Sequence, residues 1–290
     1  MAERITGHTI LIGLMATPIR HSLSPLIHNE SFAKLGLDYA YLAFEVGNEA
    51  LADSIKSIRT LGMRGSNISM PNKQKVIPLL DEISPAAELI GAVNTIVNEG
   101  GILIGHNTDG IGFMRSLEEV DVNIIGKKMT MMGAGGAATA ICMQAALDGV
   151  KEISVFNRQD EWFEKAKRMV ALINERTNCK ASLFELENTE YLRKEILGSA
   201  ILINGTGVGM NPYENQSLIT DATFFRSDLI VADVIYKPEK TKLLQLAETQ
   251  NCKLVNGLGM MLFQGAAAFK LWTGQEMPTE EIKKMLYKKK

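Results

Sequence analysis

Short apolar runs alternate along the chain with longer segments in which apolar residues recur at helical spacing. This alternation is typical of βα units, in which helices connect strands of a mainly parallel sheet. A first series of such units ends near residue 119. Its predicted strands are 9–15, 39–44, 65–69, 92–98 and 102–106, and its predicted helices are 25–35, 49–61, one that opens at Pro71, and 110–119.

A second series begins near Lys127. It predicts strands at 128–132, 152–157, 180–184, 200–204, 229–233 and 253–255, with helices at 137–148, 161–175, 190–197 and 241–250. Two further helices, at 259–273 and 279–288, follow the completed series, so we expect them to return to the first domain. A length of 290 residues suits two domains. We therefore predict an α/β fold with one domain at 1–115 plus 259–290 and another at 116–258.

Composition excludes several classes of protein. A net charge of −2 produces no field that would attract nucleic acid or an anionic membrane. The three cysteines are odd in number and lack CxxC spacing, which favours reduced thiols in the cytoplasm, and the four histidines form no HExxH metal motif. The first apolar run is too short for a signal peptide, and no stretch of about 18 apolar residues could span a membrane. We expect a cytoplasmic protein without nucleic-acid, membrane or metal partners.

A glycine-rich turn follows the first strand of the second domain. Gly133-Ala134-Gly135-Gly136-Ala137-Ala138 matches G-x-G-x-x-A, and the unit around it has about the 30 residues of a βαβ element. Gly133 permits a tight turn, Gly135 lets the backbone approach a pyrophosphate, and the helix N-terminus offers N–H groups to the anion. A glycine turn that only packs tightly is the alternative. The context favours a dinucleotide site formed by Gly133, Ala134, Gly135, Gly136 and Ala137.

The end of the next strand bears on which dinucleotide binds. The segment Asn157-Arg158-Gln159-Asp160 stands where an acidic residue selects NAD and a cation selects NADP. The Arg158 guanidinium can bind a 2′-phosphate, whereas Asp160 can accept from a 2′-hydroxyl and would repel a phosphate. Either residue can also be an ordinary surface charge. The sequence leaves the choice between NAD and NADP open.

Three segments of the first domain carry polar residues that the fold does not demand. In His21-Ser22-Leu23-Ser24-Pro25, Ser24 can cap a helix that begins at Pro25, but Ser22 then has no role. The second segment is Asn67-Ile68-Ser69-Met70-Pro71-Asn72-Lys73, in which Asn67 and Ser69 share a strand face. The third is Gly105-His106-Asn107-Thr108-Asp109-Gly110, in which Thr108 or Asp109 can cap a helix. Each of the three segments, taken alone, has an ordinary structural explanation.

Taken together, the motifs point to one family. They are Ser-Leu-Ser-Pro at 22–25, Asn-Ile-Ser-Met-Pro-Asn-Lys at 67–73, Gly-Ala-Val-Asn-Thr at 91–95, Asn-Thr-Asp-Gly at 107–110, the glycine-rich turn, Asn-Arg at 157–158, Asn-Gly-Thr-Gly-Val-Gly-Met at 204–210 and Gly-Leu-Gly-Met-Met-Leu-Phe-Gln at 257–264. In this order they resemble the shikimate dehydrogenase family, over nearly the whole chain. Segments 70–74 and 156–160 are most similar to the quinate/shikimate dehydrogenase branch.

The resemblance implies reversible hydride transfer with NAD or NADP, from 3-dehydroshikimate to shikimate or from 3-dehydroquinate to quinate. The N-terminal α/β domain would bind this small-molecule substrate, and the second would be a Rossmann-type dinucleotide-binding domain. Lys73 and Asp109 would form the catalytic pair, in which Lys73 donates the proton that an alkoxide needs. The substrate-binding residues would be Ser22, Ser24, Asn67, Ser69, Asn94 and Gln264. The further cofactor residues would be Asn157, Arg158, Asp160, Thr206, Val208, Gly257 and Met260.

Two other functions stay open. One is a related oxidoreductase that acts on another cyclic hydroxy or amino acid with the same catalytic pair. The other is a catalytically silent, ligand-sensing protein of the same fold, which the presence of both Lys73 and Asp109 disfavours. The sequence decides neither between shikimate and quinate nor on the oligomeric state, for which a homodimer is one alternative.

Overall fold

The chain divides into two compact units. The computed structural model describes residues 5–20 and 22–288, with side chains as far as Leu286. The first unit contains residues up to Thr108 and those from Leu262 onward, and the second unit is Asp109–Met261. The predicted junctions lie after residue 115 and before 259, and the first of them falls inside the helix that begins at Asp109. This helix belongs to the second unit, where it packs closely on the helix that contains Ala140. Gly110 allows the close approach, because a Cβ there would lie only 2.4 Å from the Ala140 carbonyl oxygen.

A six-stranded mixed sheet forms the first unit. Its strands are β1 (Ile10–Ala16), β2 (Tyr39–Glu45), β3 (Gly65–Ile68), β4 (Glu82–Ile83), β5 (Thr95–Glu99) and β6 (Ile102–His106), in the order β2-β1-β3-β5-β6-β4. Its first three helices are α1 (Ser24–Leu35), α2 (Leu51–Thr60) and α3 (Pro85–Ile90). β1 is parallel to both β2 and β3, whereas β5 is antiparallel to β3 and β6. The predicted strands 92–98 and 102–106 correspond to β5 and β6, which form a hairpin with Gly100 and Gly101 at positive φ in its turn.

The predicted helix at Pro71 is wrong. Residues 71–76 form turns, and only a single turn of 3-10 helix follows at Ile77–Leu79. Pro78 contributes to the interruption, because it has no N–H to donate to the Gln74 carbonyl, as a continuous α-helix would require. The turn is held instead by Asn72, whose N–H donates to the Ser69 carbonyl and whose side-chain amide donates to the Val46 carbonyl.

Helix α3 was not predicted, although its sequence carries end signals. Ser84 caps its N-terminus by accepting from the Ala87 N–H, Pro85 opens it, and Gly91 ends it with left-handed backbone. The helix has six residues, which is too short for a clear apolar periodicity.

The two C-terminal helices return to the first unit as predicted. They are α9 (Gly257–Thr273) and α10 (Thr279–Lys288), and α9 enters the first unit at Leu262. The Trp272 indole N–H donates to the Ile96 carbonyl of β5, and the Trp272 carbonyl accepts from Arg64 at the start of β3. The end of α9 is therefore bonded directly to the sheet backbone.

A buried histidine lies among the aromatic residues that join α1, β2 and α9. His28 stacks on Tyr41 with 4.4 Å between ring centroids, and Phe269 and Trp272 surround it. Its Nδ1 is buried and has no hydrogen-bond partner within the described part of the chain. Burial lowers the pKa of His28 to about 3, so the ring is neutral at physiological pH.

The second unit is a fully parallel sheet of six strands. They are β7 (Lys128–Met132), β8 (Glu152–Asn157), β9 (Lys180–Glu185), β10 (Ile201–Asn204), β11 (Ile230–Asp233) and β12 (Lys253–Val255), and the helices are α4 (Asp109–Glu118), α5 (Gly136–Leu147), α6 (Phe163–Arg176), α7 (Thr189–Leu197) and α8 (Lys242–Glu248). The order β12-β11-β10-β7-β8-β9 is that of the Rossmann fold, which confirms the predicted fold class. The direction of chain progression reverses between β7 and β10, and a ligand binds beyond the carboxyl ends of the strands at such a point.

We expect His28 to make the first unit sensitive to acid. Its pKa is lower in the folded chain than in the unfolded chain, so protons bind preferentially to the unfolded chain as pH falls below 6.5. Relative to His28→Phe, the wild type should lose about 3 kcal/mol of unfolding free energy between pH 7 and pH 4. Urea unfolding at several pH values measures this difference.

The exposed His8 provides a matched control. His8→Gln should follow the wild-type pH profile. Parallel profiles for wild type and His28→Phe would contradict a neutral buried ring at position 28.

Candidate active site

Two buried asparagines connect the strands at the centre of the first unit. Asn67, on β3, accepts from the Tyr41 hydroxyl at 2.7 Å. Its side-chain amide donates to the Asn94 carbonyl and to the Thr95 hydroxyl, both at 3.0 Å. Asn67 is thus held by Tyr41 of β2 on one side and by Asn94 and Thr95 at the start of β5 on the other, so its orientation is fixed before any ligand binds.

Asn94 extends these bonds to two more segments. Its side-chain oxygen accepts from the Thr108 N–H at 2.9 Å, and its amide donates to the Thr108 hydroxyl at 2.9 Å. The same amide lies 3.5 Å from the side-chain oxygen of Gln264 on α9. The structure therefore brings three of the predicted substrate residues, Asn67, Asn94 and Gln264, into one hydrogen-bonded group. Sequence reasoning missed Tyr41, Thr95 and Thr108, which complete the group.

The serines before α1 differ from the prediction. Helix α1 begins at Ser24, and Leu23 precedes it without a side-chain cap, so Ser24 as N-cap is wrong. The Ser22 hydroxyl instead accepts from the Ser24 N–H at 3.2 Å, which gives Ser22 the local role that the sequence left unexplained. Burial raises the pKa of Tyr41, opposed by a hydrogen bond with the Ser24 side chain. Ser24 therefore faces the phenol that contacts Asn67. His21 lies outside the described residues.

Lys73 lies on the turn that replaces the predicted helix. Its carbonyl accepts from the Val93 N–H at 2.8 Å, so the backbone at Lys73 is tied to the residue before Asn94. The side chains of Lys73 and Ser69 are half-buried. Lysine at a half-buried position can donate a proton to a bound oxyanion.

Asp109 is the first residue of α4, in the second unit. It is buried, and a helix N-terminus stabilises a carboxylate. The close packing of α4 on α5 at Gly110 fixes the helix that carries it. Lys73 belongs to the first unit and Asp109 to the second.

The glycine-rich turn has the geometry that a dinucleotide requires. Gly133 has φ +98°, and a Cβ there would lie 2.6 Å from the Thr206 methyl group. Gly135 is the N-cap of α5, receives no side-chain cap, and a Cβ there would meet no protein atom within 4 Å. The first turn of α5 has no acidic residue. Open space in front of uncapped helix N–H groups fits a pyrophosphate.

The segment after β8 shows how Asp160 is used. Its carboxylate accepts from the Asn157 side-chain amide at 3.1 Å and from the Trp162 N–H at 2.9 Å. Asp160 therefore shapes the turn that leads into α6. Arg158 is exposed, and among the described residues none forms an ion pair with it.

The remaining predicted cofactor residues lie beyond β10 and at the start of α9. Thr206 and Val208 belong to the loop after β10 and are half-buried, whereas Met260 is buried. Gly257 has a packing reason of its own, because a Cβ there would lie 2.0 Å from the Val234 carbonyl oxygen. Among the described residues, no group of three or more His, Cys, Asp or Glu side chains could hold a metal ion.

A Rossmann-type unit with space for a pyrophosphate at its glycine-rich turn and an α/β unit with an ordered polar group are the two parts expected of a two-domain NAD(P)-dependent oxidoreductase. Two family models match the chain: the shikimate dehydrogenase substrate-binding domain at residues 14–96 and the shikimate 5′-dehydrogenase C-terminal domain at 257–286. A shikimate dehydrogenase (NADP⁺) of Listeria innocua is 61% identical over 287 residues, which cover 99% of each chain. The chain belongs to the shikimate dehydrogenase family.

Solved structures agree with this assignment. The shikimate 5-dehydrogenase of Listeria monocytogenes, crystallised with shikimate and NAD, matches with a TM-score of 0.96 and 61% identity over 99% of both chains. The quinate dehydrogenase of Corynebacterium glutamicum, in complex with NAD, matches with a TM-score of 0.86 and 29% identity over 97% of this chain and 99% of that one. The family thus includes enzymes named for either ring acid.

The two glycines of the turn should respond to substitution in opposite ways. Gly135→Ala should leave thermal stability unchanged, because the methyl group meets no protein atom, but should weaken NADPH binding about tenfold or more by occupying the space for the pyrophosphate. Gly133→Ala should destabilise the fold by about 1–3 kcal/mol, because it combines positive φ with a clash. Thermal unfolding and NADPH fluorescence titration measure the two effects.

Equal loss of stability in both variants would mean that the space at Gly135 is needed for folding. Unchanged NADPH affinity in Gly135→Ala would show that the pyrophosphate does not bind at this turn.

Proposed function

We propose that the protein catalyses the reversible, NADP-dependent reduction of 3-dehydroshikimate to shikimate. The observation that carries this proposal is the ordered group of Asn67, Asn94 and Gln264 in a chain that is 61% identical, over its full length, to a shikimate dehydrogenase (NADP⁺). Amide and hydroxyl groups fixed by internal hydrogen bonds suit a ring that carries several hydroxyl groups. Serine hydroxyls at 22, 24 and 69 suit its carboxylate, which needs donors.

NADPH, when bound, supplies the hydride for the carbonyl carbon. The protein then has to supply a proton to the carbonyl oxygen, and we propose Lys73 as its donor and Asp109 as the second member of the catalytic pair. The charged ammonium of lysine also stabilises the negative charge that develops on the oxygen. The turn that holds Lys73 is tied to Val93, so the backbone of Lys73 lies next to the segment that carries Asn94.

NADP is the preferred cofactor in this proposal. The Asp160 carboxylate already accepts from Asn157 and Trp162, which reduces its capacity to accept from a ribose hydroxyl. Arg158 is exposed and can bind a 2′-phosphate in a bidentate manner. Asp160 still places a negative charge near the 2′-phosphate, which repels NADP but not NAD. This proposal therefore keeps NAD as a second cofactor. The structure of the relative from Listeria monocytogenes holds NAD.

Quinate is the second candidate substrate. Its support is the likeness to the quinate dehydrogenase of Corynebacterium glutamicum, at 29% identity. The lower identity ranks quinate behind shikimate.

We propose a cytoplasmic location, supported by three cysteines that are all buried as free thiols. No helix of the described residues is long and apolar enough to cross a membrane. A homodimer stays a prediction. Strand β2 is a sheet edge, but Asn29 occupies its outer side by bonding both the N–H and the carbonyl of Tyr41, which disfavours a dimer formed by joining these edges.

The proposed function is tested by initial rates at 340 nm, with shikimate or quinate paired with NADP or NAD. We expect the highest kcat/KM with shikimate and NADP. Lys73→Ala should lower kcat by about 10²–10⁴ because the proton donor is lost, while the exposed Lys75→Ala, two residues away, should retain wild-type rates. No turnover in any of the four mixtures, from folded protein, would refute the proposal.

Cofactor preference is tested at Arg158 and Asp160. Arg158→Ala should raise KM for NADP by about tenfold or more and leave KM for NAD nearly unchanged. Asp160→Asn keeps an oxygen that can accept from the Trp162 N–H but removes the charge, so KM for NADP should fall. Steady-state kinetics with both cofactors measure the ratio. Equal changes for NAD and NADP would show that neither residue reads the 2′-phosphate.

A further inference from the structure

A buried carboxylate joins three segments at the carboxyl end of the second sheet. Asp233, the last residue of β11, is 1% exposed. Its two oxygens accept from the Asn204 side-chain amide, both at 3.1 Å, from the Ile235 N–H at 3.0 Å and from the Thr241 hydroxyl at 2.7 Å. Asp233 thereby links the end of β10, the turn after β11 and the cap of α8.

Asn204 transmits this constraint to the loop after β10. Its side-chain oxygen accepts from both the N–H and the hydroxyl of Thr206, and its amide donates to the Val208 carbonyl at 3.1 Å. The Thr206 hydroxyl accepts in turn from the Val208 N–H at 3.1 Å. The loop 205–208 is therefore shaped by one asparagine, which Asp233 holds in place.

The loop lies directly against the glycine-rich turn. A Cβ on Gly133 would lie 2.6 Å from the Thr206 methyl group and 3.3 Å from the Gly205 carbonyl. On the other side, the Gly257 N–H donates to the Ile235 carbonyl at 3.0 Å, so α9 begins on the segment that Asp233 also bonds. The glycine-rich turn, the loop 205–208 and the start of α9 are thus connected to one carboxylate within the second unit.

A purely structural role is the simpler alternative, but a carboxylate is a costly choice for it. Burial raises the pKa of Asp233 to about 6, and its ionised form loses hydration in the core. Accepting from three donors compensates for this loss only in part. Asp233 stands at the carboxyl end of β11, the strand next to β10, and in sheets of this order ligands bind beyond the carboxyl ends of the strands.

We propose that Asp233 is a positioning residue for the dinucleotide, which fixes the loop 205–208 through Asn204 and so sets the affinity for NADP(H). This inference rests on the proposed function in that NADP(H) is the cofactor. Asp233 does not contact the cofactor in this proposal. Its loss lets the loop change conformation, and part of the binding free energy is then spent on ordering the loop.

The experiment compares Asp233→Ala, Asp233→Asn and a control, Asn188→Ala. Asn188 caps α7 of the same unit by accepting from the Tyr191 N–H, so its loss lowers stability without touching the loop. NADPH fluorescence titration gives the dissociation constant, thermal unfolding gives Tm, and initial rates give KM for shikimate and kcat.

We expect Asp233→Ala to raise the dissociation constant for NADPH about tenfold or more, with KM for shikimate within about twofold of wild type. Asp233→Asn should recover much of the affinity, because its amide oxygen still accepts from the Ile235 N–H and its amide can donate to the Thr241 hydroxyl. Asn188→Ala should lower Tm with unchanged NADPH affinity.

Wild-type NADPH affinity in the Asp233 variants, with a lowered Tm as in the control, would overturn the inference and leave the proposed function intact. If Asp233→Ala does not fold, Asp233→Asn decides: a rise of about threefold in the dissociation constant supports the inference, and an unchanged constant overturns it. A wild-type protein that binds no NADPH overturns the proposed function itself.

Discussion

The side chain of Asn94 is the constraint on which the substrate side of the protein depends. One buried amide bonds to Thr108, next to the residue that begins α4, and to Gln264 on the returning helix α9. Since an unsatisfied amide in the core is costly, these partners must adopt one arrangement for the unit to fold. These polar side chains are therefore ordered by folding, and a substrate that binds to them as proposed costs little of their conformational entropy.

The aromatic packing below this group supports it. His28 stacks on Tyr41, and Tyr41 donates to Asn67, so the apolar core and the polar group share a side chain. A neutral histidine serves here as an aromatic surface that fits between a tyrosine and a tryptophan. The arrangement links the buried histidine, through Tyr41, to the side chain of Asn67.

The second unit solves the same problem of preorganisation with backbone and one carboxylate. Gly133 must be glycine because of its positive φ and its contact with Thr206, whereas Gly135 leaves space for a ligand. The loop that completes this surface is bonded by Asn204, which Asp233 holds. Asp160 likewise orders the turn that leads into α6. In the proposed function, the balance between NAD and NADP depends on how strongly its charge acts on the phosphate that Arg158 would bind.

Most of the fold could be predicted from local sequence. The alternation of apolar runs determined the two series of βα units, the β5–β6 hairpin and the return of the C-terminal helices, because periodicity and turn residues act over a few positions. Short elements were harder: α3 has too few residues for a period, and Pro78 outweighed the helix signal at Pro71. The glycine-rich turn and the ordered motifs also determined the family, since both are properties of the chain itself.

The tertiary structure alone decided which atoms of the polar residues are used within the protein. Ser22 rather than Ser24 bonds the start of α1, Asp160 bonds its own turn, and Asp233 bonds three segments that no motif connects. Asn94 and Gln264 are 170 residues apart, yet their side chains meet. A hydrogen-bond partner of a buried side chain is set by packing between distant segments, and sequence spacing carries no record of it.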